Sequence, residues 1–290
     1  MNQCNPLQLL LCTDLDRTLL PNGPEQESPA ARNYFRKLAN HPEIIIAYVS
    51  GRDRKLVEQA IINYQIPSPH FVLSDVGSTI YDLRSGQWQL WQKWHETIAP
   101  DWRGLSHQAI HALLGDIHGL RLQSHQQQKQ FKLSYFFARE TAIPPLQREI
   151  EARLTAAEIS ATLTWSIDEP ANIGLLDILP RQASKLHAIR FLSHELQIPN
   201  NQLIFCGDSG NDMDVLISDI PAVLVANAQP EIREQAITAA TACGQQSQLY
   251  CAQGNFSGMN GNYSAGILEG VHHYQPTLYN ALFNHNESMR

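Results

Sequence analysis

Two acidic clusters, each closing an apolar run, constrain this chain more than any other feature. Asp14-Leu15-Asp16-Arg17-Thr18 follows Leu9-Leu10-Leu11-Cys12-Thr13, and Gly207-Asp208-Ser209-Gly210-Asn211-Asp212 follows Leu203-Ile204-Phe205-Cys206. Apolar runs of this length without polar alternation read as strands covered on both faces, as in a parallel sheet. In an open α/β sheet, ligands bind beyond the carboxyl ends of the strands. If the two strands are neighbours, the carboxylates of Asp14, Asp16, Asp208 and Asp212 converge there. That is unfavourable unless a divalent cation or a shared proton neutralises them, so the pattern asks for an oxygen-ligated metal.

The chain around the first cluster alternates as a doubly wound sheet requires. After the first strand comes a helix with Ala31, Phe35 and Leu38 on one face, then the strand Ile44 to Val49. A helix carrying Leu56, Ala60, Ile61 and Tyr64 leads to the strand Phe71 to Ser74. From about Ser78 the pattern changes. Thr79 to Leu83 and Gln87 to Trp91 flank Arg84-Ser85-Gly86 as a hairpin, followed by a strand Phe131 to Phe137, a helix from about Pro145 to Leu154, and strands near Leu163 and at Ile173 to Leu179. These describe a small α+β unit inserted into the larger fold, with the short run Gln126-Gln127-Gln128 in a solvated loop. The α/β pattern resumes with a helix opened by Ala183-Ser184-Lys185 and carrying Leu186, Ile189, Leu192 and Leu196. The expected organisation is a catalytic core at 1–83 and 171–290, split by an α+β cap at 84–170.

At 290 residues and 43% hydrophobic content, the chain can bury a sizeable core. A net charge of −7 argues against a general nucleic-acid or anionic-membrane surface, so an anionic ligand must be met by local cations. No run of about 18 apolar residues is present to span a bilayer. The five cysteines (Cys4, Cys12, Cys206, Cys243 and Cys251) form no CxxC pair and read as reduced, structural thiols of a cytoplasmic protein. His107, His111 and His118 have no cysteine partners at zinc-ligand spacing, and His272-His273 reads as surface. Trp88, Trp91 and Trp94 fit either hairpin core packing or the lining of a ligand site.

An aspartate at a strand end can attack phosphorus and form an acyl phosphate that water later cleaves, and Asp14 is placed for that role. Asp16, two residues on, can pass a proton to the leaving oxygen and later take one from water. Mg²⁺ held by Asp14, Asp16, Asp208 and Asp212 would neutralise the site. Ser50-Gly51-Arg52, directly after a strand, and Lys185, at a helix start, supply phosphate grips. Lys132, in an otherwise apolar strand of the insertion, is the candidate there to reach the polar groups of a substrate.

This ordered set resembles the four motifs of the haloacid dehalogenase (HAD) superfamily of phosphatases, and an insertion between the second and third resembles its type C2 caps. Ser74-Asp75-Val76-Gly77-Ser78-Thr79-Ile80-Tyr81, Phe131-Lys132-Leu133-Ser134-Tyr135 and Ser264-Ala265-Gly266-Ile267-Leu268-Glu269-Gly270 are similar to segments of sucrose-phosphate phosphatases. The resemblance implies a HAD-like, mostly parallel α/β core and Mg²⁺-dependent hydrolysis of sucrose 6-phosphate through an aspartyl-phosphate. It gives Asp16 a backbone carbonyl role at the metal, Asp212 a supporting role beside Asp208, and Asn211 the task of orienting the site. It also implies a sucrose-phosphate synthase as partner. Thr79 stands where an acidic residue is common in the family, and Arg17 where Asn or Gly is usual. Mannosylfructose phosphate, glucosylglycerol phosphate or a hexose phosphate are alternative substrates, and a phosphomannomutase-like phosphotransferase is an alternative reaction.

Overall fold

Leu9–Thr13 is flanked by parallel strands on both sides, Ile44–Val49 and Leu203–Gly207, which is possible only because helices cover both faces of the sheet. The structure, a computed structural model, describes residues 9–168 and 171–284; Cys4 lies outside them. Leu9 and Leu11 enter one buried cluster and Leu10 and Cys12 the other, so successive side chains of one strand serve two cores. Across the eight-stranded sheet the order is Leu249–Cys251, Ala222–Leu224, Leu203–Gly207, Leu9–Thr13, Ile44–Val49, Phe71–Ser74, Thr79–Asp82 and Gln89–Leu90. The first six are mutually parallel, and Thr79–Asp82 pairs antiparallel with both of its neighbours, Phe71–Ser74 and Gln89–Leu90. Because the chain winds outward from Leu9–Thr13 in both directions, the crevice between that strand and Leu203–Gly207 is the topological switch point, and both acidic clusters open onto it.

A second sheet is wholly antiparallel, in the order Arg121–Leu122, Leu133–Ala138, Ile173–Pro180, Ala161–Asp168. Here the pairing departs from the expected limits of 84–170 at both ends. Ile173–Pro180 is a central strand of the second sheet, and the hairpin strand Gln89–Leu90 extends the large one. A buried apolar strand looks alike in either sheet; hydrogen-bond partners alone separate them. One buried cluster spans the two units. Trp94 and Trp102 belong to the same buried cluster as Phe71 and Phe205 of the large sheet and Phe131 and Leu176 of the insertion. The Trp94 indole N–H donates to Gly77 O at 3.0 Å and its ring lies 5.0 Å from Phe191. Trp91 packs on Phe71, and Trp88 on Tyr81, so these tryptophans are packing residues.

The glutamine run is not uniformly solvated, since Gln128 is buried and exchanges hydrogen bonds with the backbone of Ser134. His272 and His273 lie against Phe256 and Tyr250. Cys12 and Cys206 are free and buried, their thiols pushed up by burial, whereas Cys243 is exposed. No helix among the described residues is long and apolar enough to cross a membrane.

Candidate active site

The backbone at the end of Leu9–Thr13 is tied to its neighbour by Asp14 N–H donating to Cys206 O at 2.9 Å, which sets the two acidic loops side by side. Asp14 is 4% exposed, and its carboxylate accepts from the Leu15 N–H at 2.8 Å. On the facing loop, Asp212 is fully buried and its Oδ2 accepts from the backbone N–H groups of Asp208 and Ser209, at 3.1 and 3.2 Å. This reciprocal cap, shared with Ser209, needs Gly207: a Cβ there would stand 2.6 Å from Asp212 Oδ2. Asp208 is held by Thr18 Oγ1, donating at 3.1 Å, and by Arg17 Nε at 3.4 Å.

Lys185 enters from the first turn of Lys185–Leu196, whose cap is Ser184. Its ammonium lies 2.7 Å from Asp212 Oδ1, 2.9 Å from Asn211 Oδ1 and 3.3 Å from Asp14 Oδ1. Burial opposes the charge on Lys185, but Asp14 and Asp212 outweigh it and raise its pKa. One ammonium does not balance three carboxylates. Burial raises Asp14 well above the usual carboxylate range against the opposing pull of Lys185, and Asp212 and Asp208 push it further. Burial and the charge of Asp212 lift Asp208 to about 7. Oxygens of Asp14, Asp208 and Asp212 all lie within 4.8 Å of one another. A buried, all-carboxylate donor set with excess negative charge fits a hard divalent cation.

Asp16 sits elsewhere. Its carboxylate accepts from Arg52 Nε at 2.8 Å, Arg52 Nη2 at 2.6 Å and Asn22 Nδ2 at 2.6 Å, and it is not among the three clustered carboxylates. Burial would raise its pKa, but the hydrogen bonds and charge of Arg52 win and hold it below the ordinary value. Asp14, Asp16, Ser50, Gly51, Arg52, Asp208 and Asn211 line one pocket of about 320 Å³. Beside it, sharing Gly51, Leu56 and Asn211, a larger cavity of about 620 Å³ lies between core loops such as Asp75-Val76 and strands of the second sheet. Lys132 opens into this second cavity, 3.3 Å from Asp177 Oδ2 and 4.0 Å from Asp75 Oδ1.

Several cavity residues escaped the reading of the sequence. Asp177 is a lone carboxylate inside the apolar strand Ile173–Pro180, a signal that was available. Trp165 lines the cavity with its buried indole N–H unpartnered, and nothing in its local sequence distinguishes it from a packing residue. Arg17 adopts φ of 57°, a left-handed conformation that favours Asn or Gly.

The sequence profile of the sucrose-6F-phosphate phosphohydrolase family matches residues 7–275. A HAD-like hydrolase of Nitrosococcus oceani is 48% identical over 93% of this chain and 72% of its own length. The mannosylfructose-phosphate phosphatase of Agrobacterium fabrum is 26% identical over 93% of this chain and 97% of its own length. The X-ray structure of the sucrose-phosphatase from Synechocystis sp. PCC6803, in complex with sucrose and phosphate, matches with a TM-score of 0.71 at 25% identity, over 92% of this chain and 98% of that one.

Proposed function

The chain belongs to the sucrose-6F-phosphate phosphohydrolase family of HAD phosphatases, and from that premise we propose that it is a Mg²⁺-dependent phosphatase of sucrose 6-phosphate. The observation that carries this reading is that the carboxylate pocket borders the 620 Å³ cavity at Gly51, Leu56 and Asn211, a cavity with the size of a small-ligand site that is lined by Lys132, Asp177, Gln123 and Trp165. A phosphate seated in the first pocket leaves its sugar in the second.

Asp14 attacks phosphorus while the bond to the sugar oxygen breaks, giving an aspartyl-phosphate. Asp16, protonated once Arg52 is drawn from it to the phosphate, supplies the proton to the departing sugar oxygen; it then takes a proton from the water that cleaves the intermediate, releasing phosphate and restoring Asp14. Lys185 and Ser50 hold the phosphoryl oxygens, and Asn211 fixes the Lys185 ammonium by accepting from it at 2.9 Å. Asp14, Asp208 and Asp212 would hold Mg²⁺, and the family resemblance adds the Asp16 backbone carbonyl to them. Such an ion supplies charge neutralisation and polarisation of the phosphoryl group. An inserted unit that carries the second sheet selects the sugar, and a sucrose-phosphate synthase is the partner that supplies it.

Phosphate release should be measured on sucrose 6-phosphate, mannosylfructose phosphate, glucosylglycerol phosphate and glucose 6-phosphate. Sucrose 6-phosphate should lead by more than tenfold in kcat/KM, about 1.4 kcal/mol of transition-state discrimination. A smaller lead, or a lead for another sugar, rejects the substrate assignment.

A further inference from the structure

The loop Asp75-Val76-Gly77 joins Phe71–Ser74 to Thr79–Asp82 with φ values of 53°, 61° and 91°, the only run of three positive values among the described residues. Valine is β-branched and resists this conformation, so the surroundings must impose it. They are the two proposed phosphate grips. The Val76 N–H donates to Ser50 O at 3.1 Å, and the Asp75 N–H to Arg52 O at 3.0 Å. Gly77 lies so close to the other grip that a Cβ would stand 2.5 Å from Ser184 O and 2.9 Å from Lys185 N. The loop is therefore a wedge between Ser50 and Lys185.

A third contact comes from the insertion. Asp75 is 2% exposed, and the Lys132 ammonium lies 4.0 Å from its Oδ1 and 3.3 Å from Asp177 Oδ2. Asp177 is itself fixed by Ser134 Oγ, donating at 2.6 Å. One ammonium thus joins a carboxylate of the second sheet to the carboxylate that begins the wedge, and all three groups face the larger cavity.

We propose that Asp75 is a positioning residue: through its pairing with Lys132 it holds the strained wedge in place and so keeps Ser50 and Lys185 in register for phosphate. The inference rests on the assignment of those two residues as phosphate grips. It separates from a simple sugar contact because its effect reaches ligands that carry no sugar. Asparagine tolerates the left-handed region, so Asp75→Asn removes the charge without adding backbone strain.

The test uses the full chain with Mg²⁺, p-nitrophenyl phosphate as substrate and inorganic phosphate as competitive inhibitor. Asp75→Asn and Lys132→Met should each weaken phosphate inhibition about tenfold, and the double variant should lose little more than either alone. Val76→Gly, which slackens the wedge but keeps the pair, should reproduce the loss. Phosphate inhibition within twofold of the parent in Asp75→Asn and Val76→Gly, with only the sugar-phosphate KM raised, overturns the proposal in favour of direct sugar contact. Additive losses in the double variant also overturn it. Ser50→Ala is the control for the underlying assignment: if it leaves phosphate inhibition unchanged, the grip assignment has failed rather than the coupling.

Discussion

Replacing Lys185 by Met keeps the bulk of the side chain and removes its charge, leaving Asp14 and Asp212 buried without their cation. The Lys185 side chain is 1% exposed, and its ammonium lies 2.7 and 3.3 Å from the Asp212 and Asp14 carboxylates. With an effective dielectric of about 20, each contact has a gross attraction of roughly 5–6 kcal/mol, partly offset by the desolvation that the ammonium no longer undergoes. Removing one partner of a buried pair costs about 3–5 kcal/mol, and we expect that loss at pH 8 without Mg²⁺. The pH dependence follows from Asp14, which Lys185 holds down against burial and two neighbouring carboxylates. Without Lys185 its folded pKa rises further above the unfolded one. Such a group contributes stability that is present at low pH and lost as pH rises through the folded value, so the variant should suffer less at pH 5.5 than at pH 8. Urea unfolding in EDTA, followed by tryptophan fluorescence and far-ultraviolet circular dichroism, measures this, with an unchanged slope confirming that the same transition is compared. Adding Asp14→Asn to Lys185→Met should recover part of the loss. A cost below about 1 kcal/mol at pH 8, or one equal at both pH values, refutes the view that Lys185 is the charge balance of this site.

Asp14→Asn should abolish phosphate release while raising the melting temperature of the metal-free protein, because it removes both the nucleophile and a buried charge; activity within tenfold of the parent refutes the nucleophile assignment. Arg52→Met should raise the pKa of Asp16 towards the ordinary carboxylate value, moving to higher pH the acidic limb of the pH profile for cleavage of the aspartyl-phosphate, where Asp16 must be ionised to act as base; an unmoved limb in that step removes Asp16 from the base role. Because the Asp208 pKa is lifted to about 7, Mg²⁺ should bind more weakly at pH 6 than at pH 8 and release protons on binding. Titration calorimetry in buffers of different ionisation enthalpy tests this, and a pH-independent affinity counts against Asp208 as a ligand.

The parallel core was legible because its information is local. Strands such as Ile44–Val49 carry unbroken apolar character, the helices between them repeat at helical spacing, and each acidic cluster sits next to the strand that presents it. Composition and motif order were enough to expect carboxylates meeting at a strand end, and Asp14, Asp208 and Asp212 do meet there. Asp16 shows where motif reading stops. Its place two residues from Asp14 says nothing of Arg52, which comes from the next strand end and holds the carboxylate with two hydrogen bonds.

The insertion was harder for the same reason. Whether Ile173–Pro180 joins the large sheet or the small one depends on the partners its backbone finds, and an apolar run carries no label for them. Lys132 stood out as a charge in an apolar strand, but its partners Asp75 and Asp177 lie 57 and 45 positions away in the chain, and the cavity they share exists only after both sheets have closed on it. Hydrophobic periodicity and motif spacing are properties of neighbouring residues, so they specify the core, the chemistry and the need for a cation. The balance of buried charge, the orientation of Asp16 and the shape offered to a sugar arise from side chains brought together by packing, and they belong to the folded molecule.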